Sequence, residues 1–280
     1  MITERDLRPP TRAALAAVRA IRPHLQNRSG ATDITEKAPN DIVTATDILV
    51  QNEIEHILRE REPEIAFLGE EGASTAVLKA PRVWLVDPIC GTSNYAAGLP
   101  LFATNVALVE DGQIVAACVA DGGTGDICVA EAGRGAWLVD SAGLRPVRAD
   151  ARSRMLSVDP DLSSGQGPAA FPTAFAIQAI QRRRWDIRVL SSTIGLLYVA
   201  TGRLAAAVYA PFGQSALHVA AGALIAEEAG ARVTDHAGAP WTIDSPILVV
   251  GATNELQVEL RLLAAQVYAQ VTGRPATDAL

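Results

Sequence analysis

Asp87 closes the apolar run Val83 to Val86 and is followed by Pro88, whose ring removes a ladder donor, so the pattern predicts a carboxylate presented where a strand stops. Cys90 and the Gly91-Thr92 turn come next, and GTSNY can begin a helix whose first amides lack intrahelical partners and so point at an anion. Further acid and base candidates stand apart along the chain: Asp47 in VTATD, Glu70 and Glu71 after Gly69, and His218 in LHVAAG. Taken singly, each has a plain reading. A free cysteine is usually a small buried hydrophobe, and any capped helix offers amides.

Taken in order, VTATD (Val43 to Asp47), Gly69 to Glu71, WLVDPICGT (Trp84 to Thr92), LHVAAG (Leu217 to Gly222) and Glu228-Ala229-Gly230 resemble the inositol monophosphatase superfamily over almost the whole chain. In that family the runs read VTxAD, GEE, W-[IV]-[IV]-D-P-[IL]-D-G-T and W-D-x-A-[AG]-G, with EAG at a helix end. The resemblance implies a layered αβαβα fold and a magnesium-dependent, lithium-sensitive phosphomonoesterase acting on a small polyol, sugar or nucleotide phosphate. By position it implies that Glu70, Asp87 and the carbonyl of Ile89 hold a first Mg²⁺, and that Thr92 with Asp47 orients the attacking water. The amides of Gly91 and Thr92 would then donate to phosphate. Substrate-side residues of the family gather at the segment of Arg188 and Ser192, where the arginine reads equally well as a plain strand end. Members of the family are often homodimers, and the apolar middle sheet can support one here.

Three positions depart from that pattern. The second aspartate of the central motif is Cys90, the late tryptophan-aspartate pair is Leu217-His218, and Ala210 stands where inositol-selective members carry a glutamate. Cys90 and His218 replace two hard, charged ligands of the family's second metal position, so Mg²⁺ is expected to bind poorly there. Three readings follow. The chain hydrolyses a phosphate monoester on the surviving Glu70/Asp87 metal. Alternatively, Cys90 and His218 form a nucleophile pair oriented by Asp87 or Glu70, suited to acyl transfer or cyclisation. In the third, the chain is a catalytically silent binding protein. Zn²⁺ at Asp87, Cys90 and His218 is a further option, since thiolate, imidazole and carboxylate suit a borderline-soft ion.

The elements that must position these residues are legible in outline. Leu15, Val18, Ile21 and Leu25 recur at helical spacing, predicting one helix from about Thr11 to Asn27. A polar loop is expected over SGATDITEKAPND, with Lys37 a candidate loop contact, and then a helix capped by Thr46 or Asp47. IAFLG, VWLVDPI, ATNVALVE, QIVAACVA, DICVAEA and GAWLVD read as short strands of a mainly antiparallel sheet, with Asp111-Gly112 the strongest hairpin signal. Beyond the Gly/Ser/Pro-rich passage at Ser163 to Pro168, RVLSS, TIGLLYVATG, LAAAVYA, SALHVAAGALIAEEAG, ARVTD and ILVVGA alternate between strand and helix, before a closing helix from Asn254 to about Val271. The expected class is α/β, with an α+β half over residues 1–150 and an α/β half over 151–280 joined as one compact unit.

Composition narrows the partners. A formal charge of −7 with dispersed acids lacks the basic face that nucleic acid requires, and the Arg182 to Arg184 cluster reads as a solvated edge. No apolar run is long enough to cross a bilayer, and three cysteines without a secretory signal point to a reducing cytoplasm. Cys118 and Cys128 are expected in the core, and Glu227 and Glu228 in structural roles. A small-molecule substrate is the partner that the family resemblance implies.

Overall fold

The computed structural model describes residues 2–28, 30–38, 41–72, 75–150, 152–160, 167–210 and 216–273. The Gly/Ser/Pro-rich passage lies mostly outside them. Pro9 and Pro10, which have no amide to leave unsatisfied, occupy the first turn of α1 (Pro9–Ala20). Where one continuous helix was expected there are two, because Pro23 cannot donate within a helix interior: α2 (Arg22–Asn27) restarts after Ile21 and ends on left-handed Arg28. The expected polar loop is instead a two-stranded antiparallel ribbon of β1 (Ile34–Ala38) and β2 (Asp41–Thr44). Thr44, and not Thr46 or Asp47, caps α3 (Ala45–Arg61), and Asp47 closes the capping box from inside the first turn.

Then come β3 (Ala66–Gly69), β4 (Arg82–Cys90), α4 (Thr92–Ala97), β5 (Ala103–Glu110), β6 (Gln113–Asp121), β7 (Ile127–Glu131), β8 (Gly135–Asp140) and β9 (Gly143–Pro146). Their seven strands lie in chain order, with β3 and β4 parallel and every later pair antiparallel. Asp111 and Gly112 both have positive φ and turn the chain between β5 and β6, as the hairpin signal required. Pro88 does not end β4. The ladder slips between Asp87, opposite Asn105, and Cys90, opposite Ala103, and that irregularity accommodates the missing donor.

The remaining elements are β10 (Met155–Val158), α5 (Phe171–Gln181), β11 (Asp186–Arg188), α6 (Ile194–Ala200), β12 (Ala206–Tyr209), α7 (Ala216–Glu228), β13 (Arg232–Thr234), β14 (Leu248–Gly251) and α8 (Asn254–Thr272). Neither β10 nor α5 was expected, and the strand expected over RVLSS lies earlier, with only its Arg188 in β11, while Ser191 within the expected run is left-handed. The second sheet runs β11-β10-β12-β14-β13, mixed parallel and antiparallel.

Period-two alternation sorts each central strand between two cores. Trp84, Val86, Val106 and Leu108 pack under α1 and α3, whereas Val83, Leu85, Ala107 and Val109 face α6 and α7. A third core lies between the far face of the second sheet and α5 with α8. The result is an αβαβα sandwich whose middle helical layer belongs to both sheets. α7 is apolar on every side because both its sides are covered. Its end is held by Glu228, whose carboxylate accepts the Gly133 amide at 2.6 Å and the Gly135 amide at 2.7 Å. Among the described residues no helix is long and apolar enough to cross a membrane.

The capping box makes a first test. Thr44→Val removes the buried Oγ1 bond to Asp47 Oδ2 at 2.5 Å, and urea unfolding should show a loss of about 1–2 kcal/mol. An unchanged midpoint would mean that Asp47 does not depend on Thr44 for its position.

Candidate functional site

Four local devices bring the candidate residues together. The first is the α3 capping box, which fixes Asp47. Its Oδ2 accepts the Thr44 amide at 2.8 Å, leaving Oδ1 to accept from Thr92 Oγ1 at 3.1 Å. The same hydroxyl lies 3.0 Å from the Ile89 carbonyl. Burial pushes the Asp47 carboxyl up to about 6, against the lowering effect of its bonds to Thr44 and Thr92.

The second is the end of β3. Gln51 on α3 exchanges two hydrogen bonds with the Glu71 backbone, each 2.8 Å, and a Cβ on Gly69 would overlap the Gln51 amide. That clamp sets the direction of Glu70. The Lys37 ammonium reaches in from β1 to 3.2 Å of Glu70 Oε1 and 3.0 Å of Glu71 Oε1, with Asp41 Oδ1 at 3.4 Å. Burial raises the Glu70 carboxyl and the Asp87 charge raises it further, while His218 and Lys37 pull it down.

Third is the turn after β4. Gly91 has φ +103, and a Cβ there would meet the Leu101 and Ser191 carbonyls at 2.9 and 3.0 Å, so only glycine fits. Asn94 on α4 donates to the Leu101 and Leu190 carbonyls, each at 2.7 Å, binding this turn to the second half of the chain. Asp159 gathers the amides of Leu190, Ser191 and Ser192 between 2.9 and 3.3 Å. Ser192 is buried, and its Oγ donates to the Cys90 carbonyl at 2.7 Å. Arg188 is exposed on β11 and donates to the carbonyl of its own neighbour Ile187.

Fourth is the first turn of α7, which carries His218 to Asp87: Nδ1 and Oδ2 are 2.7 Å apart. The imidazole keeps 32% of its surface exposed, whereas Asp87 is wholly buried. Burial opposes protonation of the ring, but the charge and hydrogen bond of Asp87 prevail and raise its pKa well above the ordinary histidine value. Ligand atoms of Asp87, Cys90 and His218 all lie within 4.8 Å of one another. The thiol and the imidazole, remote in sequence, therefore share one pocket.

Thr193 organises that pocket, and nothing in the sequence pointed to it. Its Oγ1 donates to the His218 carbonyl at 2.9 Å and accepts from Asn105 Nδ2 at 3.2 Å, and its amide donates to Cys90 Sγ at 3.2 Å. With the hydroxyl proton used on His218, the 3.0 Å contact between Cys90 Sγ and Thr193 Oγ1 is one in which the thiol donates. Burial and the Asp87 charge push the Cys90 thiol up to about 11. The arrangement has the outline of a Cys-His-Asp nucleophile, but its sulfur is protonated and enclosed.

One buried atom has no use inside the protein. Asp87 Oδ1 finds no hydrogen-bond partner among the described residues, a condition that a cation relieves. Glu70, this Oδ1 and the Ile89 carbonyl are all oxygen donors, the chemistry that hard Mg²⁺ takes. The neighbouring position, lined by sulfur and imidazole, does not offer it.

The inositol monophosphatase family profile matches residues 6–271. Over 263 residues the chain is 31% identical to the inositol-1-monophosphatase ImpA of Mycolicibacterium smegmatis, covering 88% of this chain and 86% of that protein. It is 30% identical over 264 residues to the Nus factor SuhB of Vibrio cholerae, covering 89% and 92%. The solved IMPase of Thermotoga maritima superposes with a TM-score of 0.78 at 26% identity, covering 92% of this chain and 97% of that one.

The enclosed thiol makes a second test. A pKa near 11 in place of 9.0 lowers the thiolate fraction at neutral pH about a hundredfold. Iodoacetamide should therefore label Cys90 in the folded chain at least about a hundredfold more slowly than in the unfolded chain, followed by peptide mass spectrometry. Labelling as fast as a free thiol would restore the nucleophile reading.

Proposed function

The chain belongs to the inositol monophosphatase family, and from that membership we propose that it hydrolyses a small phosphorylated metabolite, a polyol, sugar or nucleotide monoester, at the Asp47–Glu70–Asp87–Thr92 centre. The observation that carries this reading is the Thr92 hydroxyl set between the Asp47 carboxylate and the Ile89 carbonyl, together with a buried Asp87 oxygen that has no partner among the described residues. An enclosed, protonated Cys90 weighs against covalent catalysis.

Glu70, Asp87 and the Ile89 carbonyl would hold Mg²⁺, which when bound clamps phosphoryl oxygens and acidifies water. Lys37 must release Glu70 for this to happen, and its ties to Glu71 and Asp41 let it do so without leaving the protein. Thr92 orients the attacking water, and Asp47, with a pKa near the working range, receives a proton through it. The first amides of α4, at Gly91 and Thr92, donate to phosphate. While no ion occupies the side where the family uses a second metal, His218, held protonated by Asp87, supplies a cationic hydrogen-bond donor there. Ala210 offers no acceptor for substrate hydroxyls, which disfavours inositol phosphate itself. The dimer expected of the family and a cytoplasmic setting are carried forward as part of this proposal.

The experiment is phosphate release from a panel of phosphomonoesters by the purified chain with and without Mg²⁺. Hydrolysis should require Mg²⁺ and fall by at least about a hundredfold in kcat/KM in Glu70→Gln and in Asp87→Asn. Activity surviving both changes would sink the reading. A native chain without activity that gains it in the Cys90→Asp, His218→Asp double variant would be a silent one.

The pH profile gives a separate check. Asp47 must be ionised to accept a proton, so kcat/KM should drop as pH falls through about 6, one decade per unit at the limit. Asp47→Asn should leave residual activity without that inflexion.

A further inference from the structure

The position next to the proposed Mg²⁺ site has changed its chemistry without losing its ligands. Where the family pattern has two aspartates, this chain has a thiol and an imidazole, and both still face the Asp87 carboxylate with their ligand atoms within 4.8 Å of one another. We propose that Asp87, Cys90 and His218 form a binding site selective for a borderline-soft divalent ion, Zn²⁺ in the first place, over Mg²⁺. This deepens the reading above and rests on its placement of Asp87 at a cation-binding centre.

The geometry asks for little movement. With bonds of about 2.0–2.3 Å, tetrahedral zinc holds its ligand atoms roughly 3.3–3.8 Å apart. From their outer limit of 4.8 Å the ligand atoms must therefore close by up to about 1.5 Å, and the 2.7 Å contact between His218 Nδ1 and Asp87 Oδ2 must open. The support for each ligand is in place. The Thr193 amide already donates to Cys90 Sγ at 3.2 Å, as amides do to thiolate ligands, and the Thr193 hydroxyl holds the His218 backbone at 2.9 Å.

A second observation points to a cation independently of the donor types. Asp87 is wholly buried, yet its Oδ1 has no partner among the described residues. Oδ2 faces His218 while Oδ1 remains available, so one carboxylate can serve two adjoining ions or turn its free oxygen to one. The imidazole, with about a third of its surface exposed, is the ligand that solvent reaches, and a fourth position on that side would suit a site that also binds a ligand.

Binding is coupled to protons. The thiol proton now given to Thr193 Oγ1 and the proton between His218 and Asp87 must both leave for solvent when the ion arrives. Affinity should therefore rise with pH, and calorimetry in buffers of different ionisation enthalpy should count the protons released.

The test is titration of the metal-free full chain with Co²⁺ as a spectroscopic probe, then with Zn²⁺ and Mg²⁺. A thiolate-to-cobalt charge-transfer band in the near ultraviolet should saturate at one ion per chain. One equivalent of Zn²⁺ should abolish it, whereas at least about a hundredfold excess of Mg²⁺ should not. Cys90→Ser should lose the band and His218→Ala should weaken Zn²⁺ binding at least about tenfold, with circular dichroism checking that both fold. Glu70→Gln, which removes a ligand of the hard site alone, should keep the band. No band in the native chain, Mg²⁺ competing on equal terms, or a band undiminished in folded Cys90→Ser would overturn the inference. Loss of the hydrolytic reading looks different: the band stands and no Mg²⁺-dependent phosphate release is found.

Discussion

The contact between His218 and Asp87 is the constraint around which the site is arranged. A buried carboxylate is costly unless paired, and Asp87, on the ladder irregularity of β4, has its pairing supplied from the far half of the chain. His218 sits in the first turn of α7, where a positive ring opposes the helix dipole and a carboxylate complements it. The two together suit that helix end better than the imidazolium alone. The first sheet and the middle helical layer are thereby joined at the candidate site as well as through their shared apolar core.

Much of the surrounding detail serves that juncture. Thr193 bonds to both Cys90 and His218, so the residues before α6 hold the end of β4 and the start of α7 in one frame. Ser192 holds the Cys90 carbonyl, and Tyr209 on β12 donates to the Ser192 carbonyl at 3.1 Å. Gly91 lets these backbones approach, since any side chain would strike Leu101 or Ser191. The pocket is thus framed by hydrogen bonds between side chains and the backbone of neighbouring segments. Ser192, which the family resemblance placed near substrate, works in this frame through the Cys90 carbonyl.

The strong motifs were legible because they carry the chemistry and its immediate turn geometry. Asp111-Gly112 announced its hairpin, and the apolar run Val83 to Val86 announced a strand. The ribbon of β1 and β2 was not legible: Thr35, Glu36 and Lys37 are all exposed, so no alternation marks a buried face. Its role comes from Lys37 pairing with Glu70 and Glu71, a contact between segments. β10 is four residues long, and α5 starts at Phe171 just beyond a passage rich in loop formers. Pro88 was read as a terminator because a register slip in a neighbouring ladder leaves no trace in one strand's sequence. Thr193 and Asn105 were invisible for the same reason, since their significance exists only across the fold.

Charge explains why this particular pair of replacements is tolerated. With aspartates at positions 90 and 218, the pocket would add two negative groups to Asp47, Glu70, Glu71 and Asp87, and only bound cations could offset them. In this chain one replacement is a neutral thiol and the other a ring held in its cationic form by Asp87. Lys37 supplies a second cation on the opposite side, at Glu70 and Glu71, and those carboxylates raise its pKa against the partial desolvation of its ammonium. Each of the two positions that would face a metal thus has a cation of its own, one on a ribbon and one on a helix. A pocket so balanced can keep its shape without an ion, and an ion entering it must displace a proton or an ammonium group. Ion binding as proposed would therefore be an exchange of cations, with its selectivity set by what each position gives up: an ammonium at the side of Glu70, and protons from sulfur and nitrogen at the other.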